Sequence, residues 1–345
     1  MGVSTVNGDP VSVAVVGSGA WGTTLALLVD RAGGRARLWV RDPAEAEAVG
    51  RTREHRRRLP GHHLPASVTV SADIGQCLDG AGIVIVVVPS QTVRETVRRM
   101  APRVGDATLV SATKGFEEGS LLTMTGVFAS EMGQRIRERT CALSGPNLAG
   151  EIAAGKPAAT VVAGPAAPAD RVRAALASER FRPYTSGDVT GVEIAAALKN
   201  VYAIGAGIGD GLAFGDSAKA AFMSRAIVEM GRLGVAMGAD PLTFAGLAGI
   251  GDLIATCQSP LSRNNQFGRR IAAGEPVEDA LAGSASVVEG VFATRAGREL
   301  AGREGVDMPI LEEMARVLFE GRSPADAIAG LLGREPRSES EPRRH

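Results

Sequence analysis

VSVAVVGSGAWGTTLALLVDRAG, residues Val11 to Gly33, carries a strand, a glycine turn and a helix in immediate succession. A β-rich apolar run leads without interruption into Gly17, Ser18, Gly19, Ala20, Trp21 and Gly22, and then into an apolar helix-forming segment. GxGxxG in a strand, turn, helix context is what dinucleotide binding requires. Gly17 permits the tight turn, Gly19 lets backbone approach a pyrophosphate, and Gly22 allows the helix to pack closely on the strand. The free N–H groups at the helix start suit phosphate oxygens. A tight turn without a ligand is the bland alternative, and the flanking strand and helix argue against it.

Further along, short apolar runs alternate with amphipathic stretches, the pattern of βα units around a parallel sheet. Val11 to Val16, Ala36 to Val40, Ile83 to Val88, Ala107 to Thr113 and Ala159 to Gly164 read as strands. After about Thr185 the chain changes to long Ala, Gly, Leu and Met-rich helical stretches, expected at 188–208, 216–237, 240–255, 262–273, 289–304 and 309–319. The reading is therefore an α/β, Rossmann-type doubly wound domain over 11–187, followed by an all-α domain over 188–333. Residues 1–10 and 334–345 are expected to be disordered, the latter because charge, Pro and Ser lack apolar periodicity. A chain of 345 residues exceeds what one core usually supports, which agrees with two domains.

Lys plus Arg and Asp plus Glu number 38 each, so no strong field points to nucleic acid or an acidic membrane. No apolar run approaches the roughly 18 residues of a membrane helix. No targeting or lipid-anchoring signal is read at the N-terminus, where Val6 stands in place of a myristoylation Ser or Thr. Cys77, Cys141 and Cys257 are far apart and outside any CxxC arrangement, which suits reduced packing thiols in a cytoplasm. A small-molecule partner and a cytoplasmic location are the expectations.

Several polar positions stand out. The second strand ends at Val40, Arg41 and Asp42, where a carboxylate serves an NAD ribose and an arginine serves the NADP 2′-phosphate. Arg41 favours NADPH; Asp42 serves NADH or caps the helix opening at Pro43. Arg51, Arg53, Arg56, Arg57 and Arg58, with His55, His62 and His63 nearby, read as a solvated loop or as contacts to the 2′-phosphate. RNA binding is disfavoured because no aromatics interleave. The histidines lack the spacing and carboxylates of a zinc hydrolase, and no metal site is expected.

Lys114 closes the strand LVSATKG at the carboxyl end, where open α/β sheets hold ligands. Ser262, Arg263 and Asn264 open a helix, as a small phosphate site or as an ordinary N-cap beside a surface arginine. Lys199, followed by Asn200, is the single basic residue in VEIAAALKNVYAIGAGIGDG, Val192 to Gly211. An ammonium on so apolar a helix either snorkels to solvent or is held at a site that uses a shifted acidity.

GSGAWGTTLAL, VVVPS, SATKG, SGPNLAGE, ALKNVYAIGAG, GIGDL, SRNNQFG and VVEG together resemble, in order and spacing, the bacterial NAD(P)-dependent glycerol-3-phosphate dehydrogenases. The resemblance covers about residues 11 to 333. It implies a second domain like the C-terminal domain of 6-phosphogluconate dehydrogenase, with the active site in the cleft between domains. It also implies reduction of dihydroxyacetone phosphate to sn-glycerol 3-phosphate for phospholipid synthesis, with a homodimer as a candidate assembly.

By the same resemblance Lys199 is the general acid, with Asn200, Lys114, Asp252 and Thr256 completing the polar surround. Ser262, Arg263 and Asn264 take the substrate phosphate, and Gly145 and Asn147 border the substrate. Gly17, Gly19, Ala20, Trp21, Gly22, Arg41, Lys114, Ala149, Arg263, Val287 and Glu289 fall on the cofactor side. The chain departs from the family pattern at Asn147 and Leu148, where Ser or Thr followed by Phe is usual, and at Gly150 before Glu151. Two competing readings are a β-hydroxyacid or 6-phosphogluconate type dehydrogenase and a non-catalytic dinucleotide sensor. The SRN segment and ATKG favour the triose phosphate over the first, and Lys199 with Asp252 disfavours the second.

Overall fold

The computed structural model describes residues 5–6, 9–284 and 287–334. Two short strands, β1 (Thr5–Val6) and β2 (Asp9–Pro10), pair antiparallel. These four residues fall within the stretch 1–10 for which disorder is expected from the sequence. The rest of the expected N-terminal disorder, and the tail beyond Arg334, lie outside the described residues.

Eight further strands make one sheet: β3 (Ser12–Val16), β4 (Arg35–Trp39), β5 (Thr69–Ser71), β6 (Ile83–Val86), β7 (Thr108–Ser111), β8 (Thr140–Ser144), β9 (Ala158–Ala163) and β10 (Phe181–Ser186). Their order is β10-β9-β8-β7-β6-β3-β4-β5, so the chain reverses direction across the sheet between β3 and β6. That switch point lies where the glycine loop leaves β3, the crevice that open α/β sheets use for ligands. The sheet is mixed rather than all parallel, because β9 runs antiparallel to β8. The connection between them, 145–157, holds only a five-residue helix, which returns the chain to the same edge.

Strands β5, β8 and β10 escape the periodicity. The first has three residues, TCALS mixes polar and apolar positions, and FRPYTS carries a proline tolerated because β10 is an edge.

Helices α1 (Ala20–Arg31), α2 (Pro43–Thr52), α3 (Ile74–Leu78), α4 (Val93–Met100), α5 (Met124–Met132), α6 (Ala149–Ala153) and α7 (Ala166–Leu176) flank the sheet. Leu25 and Leu28 of α1 pack on Val13, Val15 and Leu38 on one face; Val97 and Phe128 pack on Val84, Val86 and Leu109 on the other.

The second domain comprises α8 (Val189–Gly211), α9 (Gly215–Ala236), α10 (Pro241–Ala245), α11 (Asp252–Gln258), α12 (Arg263–Ala272), α13 (Val277–Ala282), α14 (Glu289–Arg303), α15 (Pro309–Phe319) and α16 (Pro324–Leu332). Helix α8, apolar nearly all round, is the buried axis of this domain. Asp188 caps its start by accepting from Gly191 N at 2.8 Å. The helix expected over 240–255 is instead broken. Backbone turns extended at Gly246, a π-helical turn spans Leu247–Gly251, and α11 begins at Asp252. A Cβ at Gly249 would lie 2.2 Å from the carbonyl oxygen of Phe244, so this tight path needs glycine.

Helix α12 lies against α8 through glycine. A Cβ at Gly207 would stand 2.1 Å from the Asn265 carbonyl oxygen, and one at Gly268 would stand 2.1 Å from that of Ile204. Removing both side chains brings the backbones together and sets Asn264 opposite Asn200. The domains also interlock: Phe116 and Leu121, from the loop after β7, are buried in the helical core. Glu193 of α8 accepts from Thr125 N at 2.9 Å and from its hydroxyl, at the start of α5.

Two glycines of α8 therefore respond oppositely to alanine. Gly207→Ala must push α12 aside and is expected to cost about 1–3 kcal/mol. Gly209→Ala, where an added Cβ meets nothing within 4 Å, is expected to gain up to about 1 kcal/mol from helix propensity. Thermal melts of the two variants against wild type check the pair.

Candidate active site

The carboxylate of Asp252 stands between two ammonium groups brought from two domains. Its Oδ2 accepts from Lys114 Nζ at 2.6 Å, and its Oδ1 accepts from Lys199 Nζ. Lys114 comes from the loop after β7 and also donates to the Gly145 carbonyl oxygen at 3.1 Å. Lys199 projects from α8 and donates to Thr256 Oγ1 at 2.7 Å. Thr256 lies one turn beyond Asp252 and turns its hydroxyl back to the Asp252 carbonyl oxygen at 2.7 Å. Ser144 Oγ adds a 3.3 Å contact to Oδ2. Lys199 is 6% exposed and Asp252 1%, so the snorkelling alternative for Lys199 does not hold.

Burial dominates the protonation of Lys199. Loss of solvent pulls its pKa down to about 7; Asp252 resists this and the charge of Lys114 reinforces it. For Asp252, burial works against ionisation, but Lys114 and Lys199 outweigh it and hold the carboxyl below the usual aspartate range. One buried anion thus serves two cations, leaving the cluster short of negative charge when both lysines are protonated.

Next to this cluster, Asn264 Nδ2 donates to Asn200 Oδ1 at 3.0 Å, and Asn264 Oδ1 accepts from Gly290 N at 3.1 Å. The SRN segment therefore adjoins the KN pair and the start of α14. Ser262 is the N-cap of α12, accepting from Asn265 N at 3.3 Å. Arg263 reaches solvent while protein crowds much of its surroundings; that burial bears down on its charge, Glu289 supports it and Arg58 opposes it. Glu289 accepts from Ser90 N at 3.0 Å and Ser90 Oγ at 2.5 Å, closing the two domains on each other.

The glycine loop fits a dinucleotide. Gly17 has φ +126°, and a Cβ there would lie 2.6 Å from the Val87 carbonyl oxygen; at Gly22 it would meet Gly17 O at 1.9 Å. Gly19 has open space around its missing Cβ. No side chain caps α1, so its first N–H groups remain for an anion. Trp21 Nε1 is a buried donor without a partner, and Thr24 ties α1 to α6 by donating to Ala149 O at 3.2 Å.

At the tip of β4, Asp42 caps α2, accepting from Glu45 N at 2.8 Å, while Arg41 is exposed. The arginine cluster does not form one patch. Arg53 sits at φ 56° and stitches its loop together, donating to the carbonyls of Leu64, Pro65 and Val68. His55 is buried, Arg51, Arg56 and Arg57 are exposed, and Arg58 is half-buried.

Asn147 directs its amide into its own domain, donating to Ala159 O at 3.1 Å and accepting from Thr160 Oγ1 at 2.9 Å. Val287 is exposed beside the start of α14. Ser90 contacts Glu289, Ser144 contacts Asp252 and Gln91 contacts Ser90, yet motif reading gives them no role. Ser90 and Ser144 lie inside the quoted VVVPS and SGP segments, which is the only signal they leave. Among the described residues, no group of three or more His, Cys, Asp or Glu could hold a metal ion.

Comparison with known proteins agrees with this arrangement over both domains. Residues 12–169 match the NAD-dependent glycerol-3-phosphate dehydrogenase N-terminus, and residues 188–329 match the corresponding C-terminus. The chain belongs to that family. A glycerol-3-phosphate dehydrogenase [NAD(P)+] of Pelotomaculum thermopropionicum is 46% identical over 95% of both chains. One from Streptomyces griseus is 44% identical over 96% of this chain and 98% of the relative. The crystal structure of the Coxiella burnetii glycerol-3-phosphate dehydrogenase superposes with a TM-score of 0.89 at 34% identity, covering 94% of this chain and 99% of the other. Membership in this glycerol-3-phosphate dehydrogenase family answers the choice left open against the β-hydroxyacid and 6-phosphogluconate dehydrogenases. Among the described residues no helix is long and apolar enough to cross a membrane.

Asp252→Asn should expose the charge imbalance. Below about pH 7 the variant must bury an unbalanced ammonium or hold Lys199 neutral, a loss of about 3–5 kcal/mol for a broken buried pair. Above about pH 7 Lys199 is neutral in both proteins and its share of the deficit vanishes. The melting-temperature difference from wild type is therefore expected to widen as pH falls through neutrality.

Proposed function

We propose that this chain catalyses the NAD(P)H-dependent reduction of dihydroxyacetone phosphate to sn-glycerol 3-phosphate, and the reverse, with Lys199 as the proton donor. The observation that carries the assignment is the placement of Lys199. A buried ammonium with a depressed pKa sits on Asp252, which Lys114 also holds from the end of the sheet that carries the glycine loop, and its neighbour Asn200 bonds Asn264 at the helix start that carries Ser262 and Arg263. When bound, the reduced nicotinamide supplies the hydride.

The protein's own groups do the rest. Arg263 and the α12 N-terminus hold the substrate phosphate, an anion suited to a guanidinium fork and free N–H groups. Lys199 donates its proton to the carbonyl oxygen and its charge stabilises the developing alkoxide; each effect contributes on the order of 10²- to 10³-fold. Asp252 keeps Lys199 protonated before transfer, and Lys114 supplies a second cation beside the reacting oxygen. Asn200 and Asn264 hold the phosphate helix in register with α8. Asn147, whose amide is engaged with β9, positions the Gly145 loop rather than taking the substrate.

NADPH is the favoured reductant, because Asp42 is occupied as a helix cap while Arg41 stands exposed at the strand tip. Arg41→Ala is expected to raise the KM for NADPH about ten- to hundred-fold, the worth of a charge-assisted hydrogen bond, and to leave the KM for NADH nearly unchanged.

Lys199→Ala is expected to lower kcat for dihydroxyacetone phosphate reduction at least about 10²-fold while NADPH binding persists. Wild-type turnover in this variant would refute the assignment. In the intact enzyme, kcat/KM for reduction should fall as pH rises through about 7, since the donor must be protonated, and kcat/KM for oxidation should rise across the same range. Cofactor absorbance with the triose phosphate and with glycerol 3-phosphate follows both directions.

A further inference from the structure

Gln91 follows the VVVPS segment, at the start of the turn that leads into α4, and its amide makes three hydrogen bonds. Nε2 donates to the Phe116 carbonyl oxygen at 2.9 Å and to Ser90 Oγ at 3.0 Å, while Oε1 accepts from Glu118 N at 2.9 Å. The backbone partners fix the amide's orientation, since a carbonyl only accepts and an N–H only donates. One side chain thus holds the loop two and four residues beyond Lys114. It also orients the Ser90 hydroxyl, which donates to Glu289 across the domain cleft. Three residues on, Arg94 grips Glu117 of the same loop at 2.8 and 2.6 Å.

Lys114 depends on this loop. It spans the domains to reach Asp252, and its backbone is held on one side by Thr113 Oγ1 donating to Val88 O at 2.7 Å. On the other side the anchor is Phe116, whose ring is buried in the helical domain and whose carbonyl is bound by Gln91. We propose that Gln91 is a positioning residue for the reaction: it fixes the Phe116–Glu118 backbone so that the Lys114 ammonium stays on Asp252 beside Lys199. This rests on the roles given above to Lys114 and Lys199.

The consequence is readable in rate and in pH dependence. Gln91→Met keeps the length of the side chain and removes all three hydrogen bonds. It is expected to lower kcat about ten- to hundred-fold, the effect of a displacement near 1 Å at a reacting group. With Lys114 loosened, its downward push on Lys199 weakens, so the fall of reduction rate with rising pH should move to higher pH. The titratable groups facing Lys199 are Asp252, Lys114 and Cys257; burial pushes the Cys257 thiol up to about 12, so it stays neutral through this range.

A double-mutant cycle with Lys114→Met tests the route. If Gln91 acts through Lys114, adding Gln91→Met to the Lys114→Met enzyme should change kcat by less than about two-fold. A kcat for Gln91→Met within about two-fold of wild type would overturn the proposal, as would a full loss that persists in the Lys114→Met background or a lower kcat with an unmoved pH limb. Wild-type kcat in Lys114→Met alone would instead refute the role given to Lys114 and take the proposal with it. Should Gln91→Met fail to fold, Gln91→Glu supplies the same cycle, since it keeps the acceptor for Glu118 and loses both donors.

Discussion

One buried carboxylate organises this protein. Asp252 accepts an ammonium hydrogen bond from each domain, and it is the charge that supports the buried ammonium of Lys199 against desolvation. The pairing is unequal by construction: one negative charge faces two positive ones. Such a cluster is poised to give up a proton, because losing one from Lys199 leaves a balanced Lys114–Asp252 pair. A general acid whose departure from the charged state restores local neutrality is ready to transfer its proton to a developing alkoxide.

The polypeptide makes costly local choices to deliver that carboxylate. A regular helix through 240–255 would have passed Asp252 at a different angle; instead the chain extends at Gly246 and winds a π turn with a Gly251 N to Gly246 O bond of 3.2 Å. Irregular turns of this kind concentrate at functional sites because they re-aim one side chain within an otherwise rigid element. The glycine contacts between α8 and α12 serve the same end. By removing side chains at Gly207 and Gly268 they bring the proposed phosphate helix to within a hydrogen bond of Asn200. Stability is drawn from burial elsewhere, along the apolar axis of α8 and on both faces of the sheet.

Much of this was legible from residue order alone. The glycine loop could be placed because its three glycines each answer a different steric demand, and those demands reappear at Gly17, Gly19 and Gly22. Lys199 stands out because a lone ammonium on an apolar helix requires a partner, and Asp252 is that partner. What stayed hidden follows from physics that local pattern does not encode. The tight π turn after Gly246 rests on the close approach of Gly249 to the Phe244 backbone, which helical periodicity does not mark. The antiparallel turn at β9 depends on which sheet edge is free. Gln91 looks like an ordinary turn residue until distant backbone is brought beside it, and Ser144 like an ordinary strand end until the Asp252 carboxylate is. Arg53, which reads as part of a charged loop, is its internal fastening, and Asn147 binds β9 of its own domain.

Lys199 sits beside Asp252 with its acidity raised by burial. Titration of the Lys199 ammonium in the intact protein, followed by NMR with isotope-labelled lysine and assigned with the Lys199→Ala variant, measures this directly. A midpoint close to 7 is expected. A midpoint near the ordinary lysine value of 10.5 would contradict it.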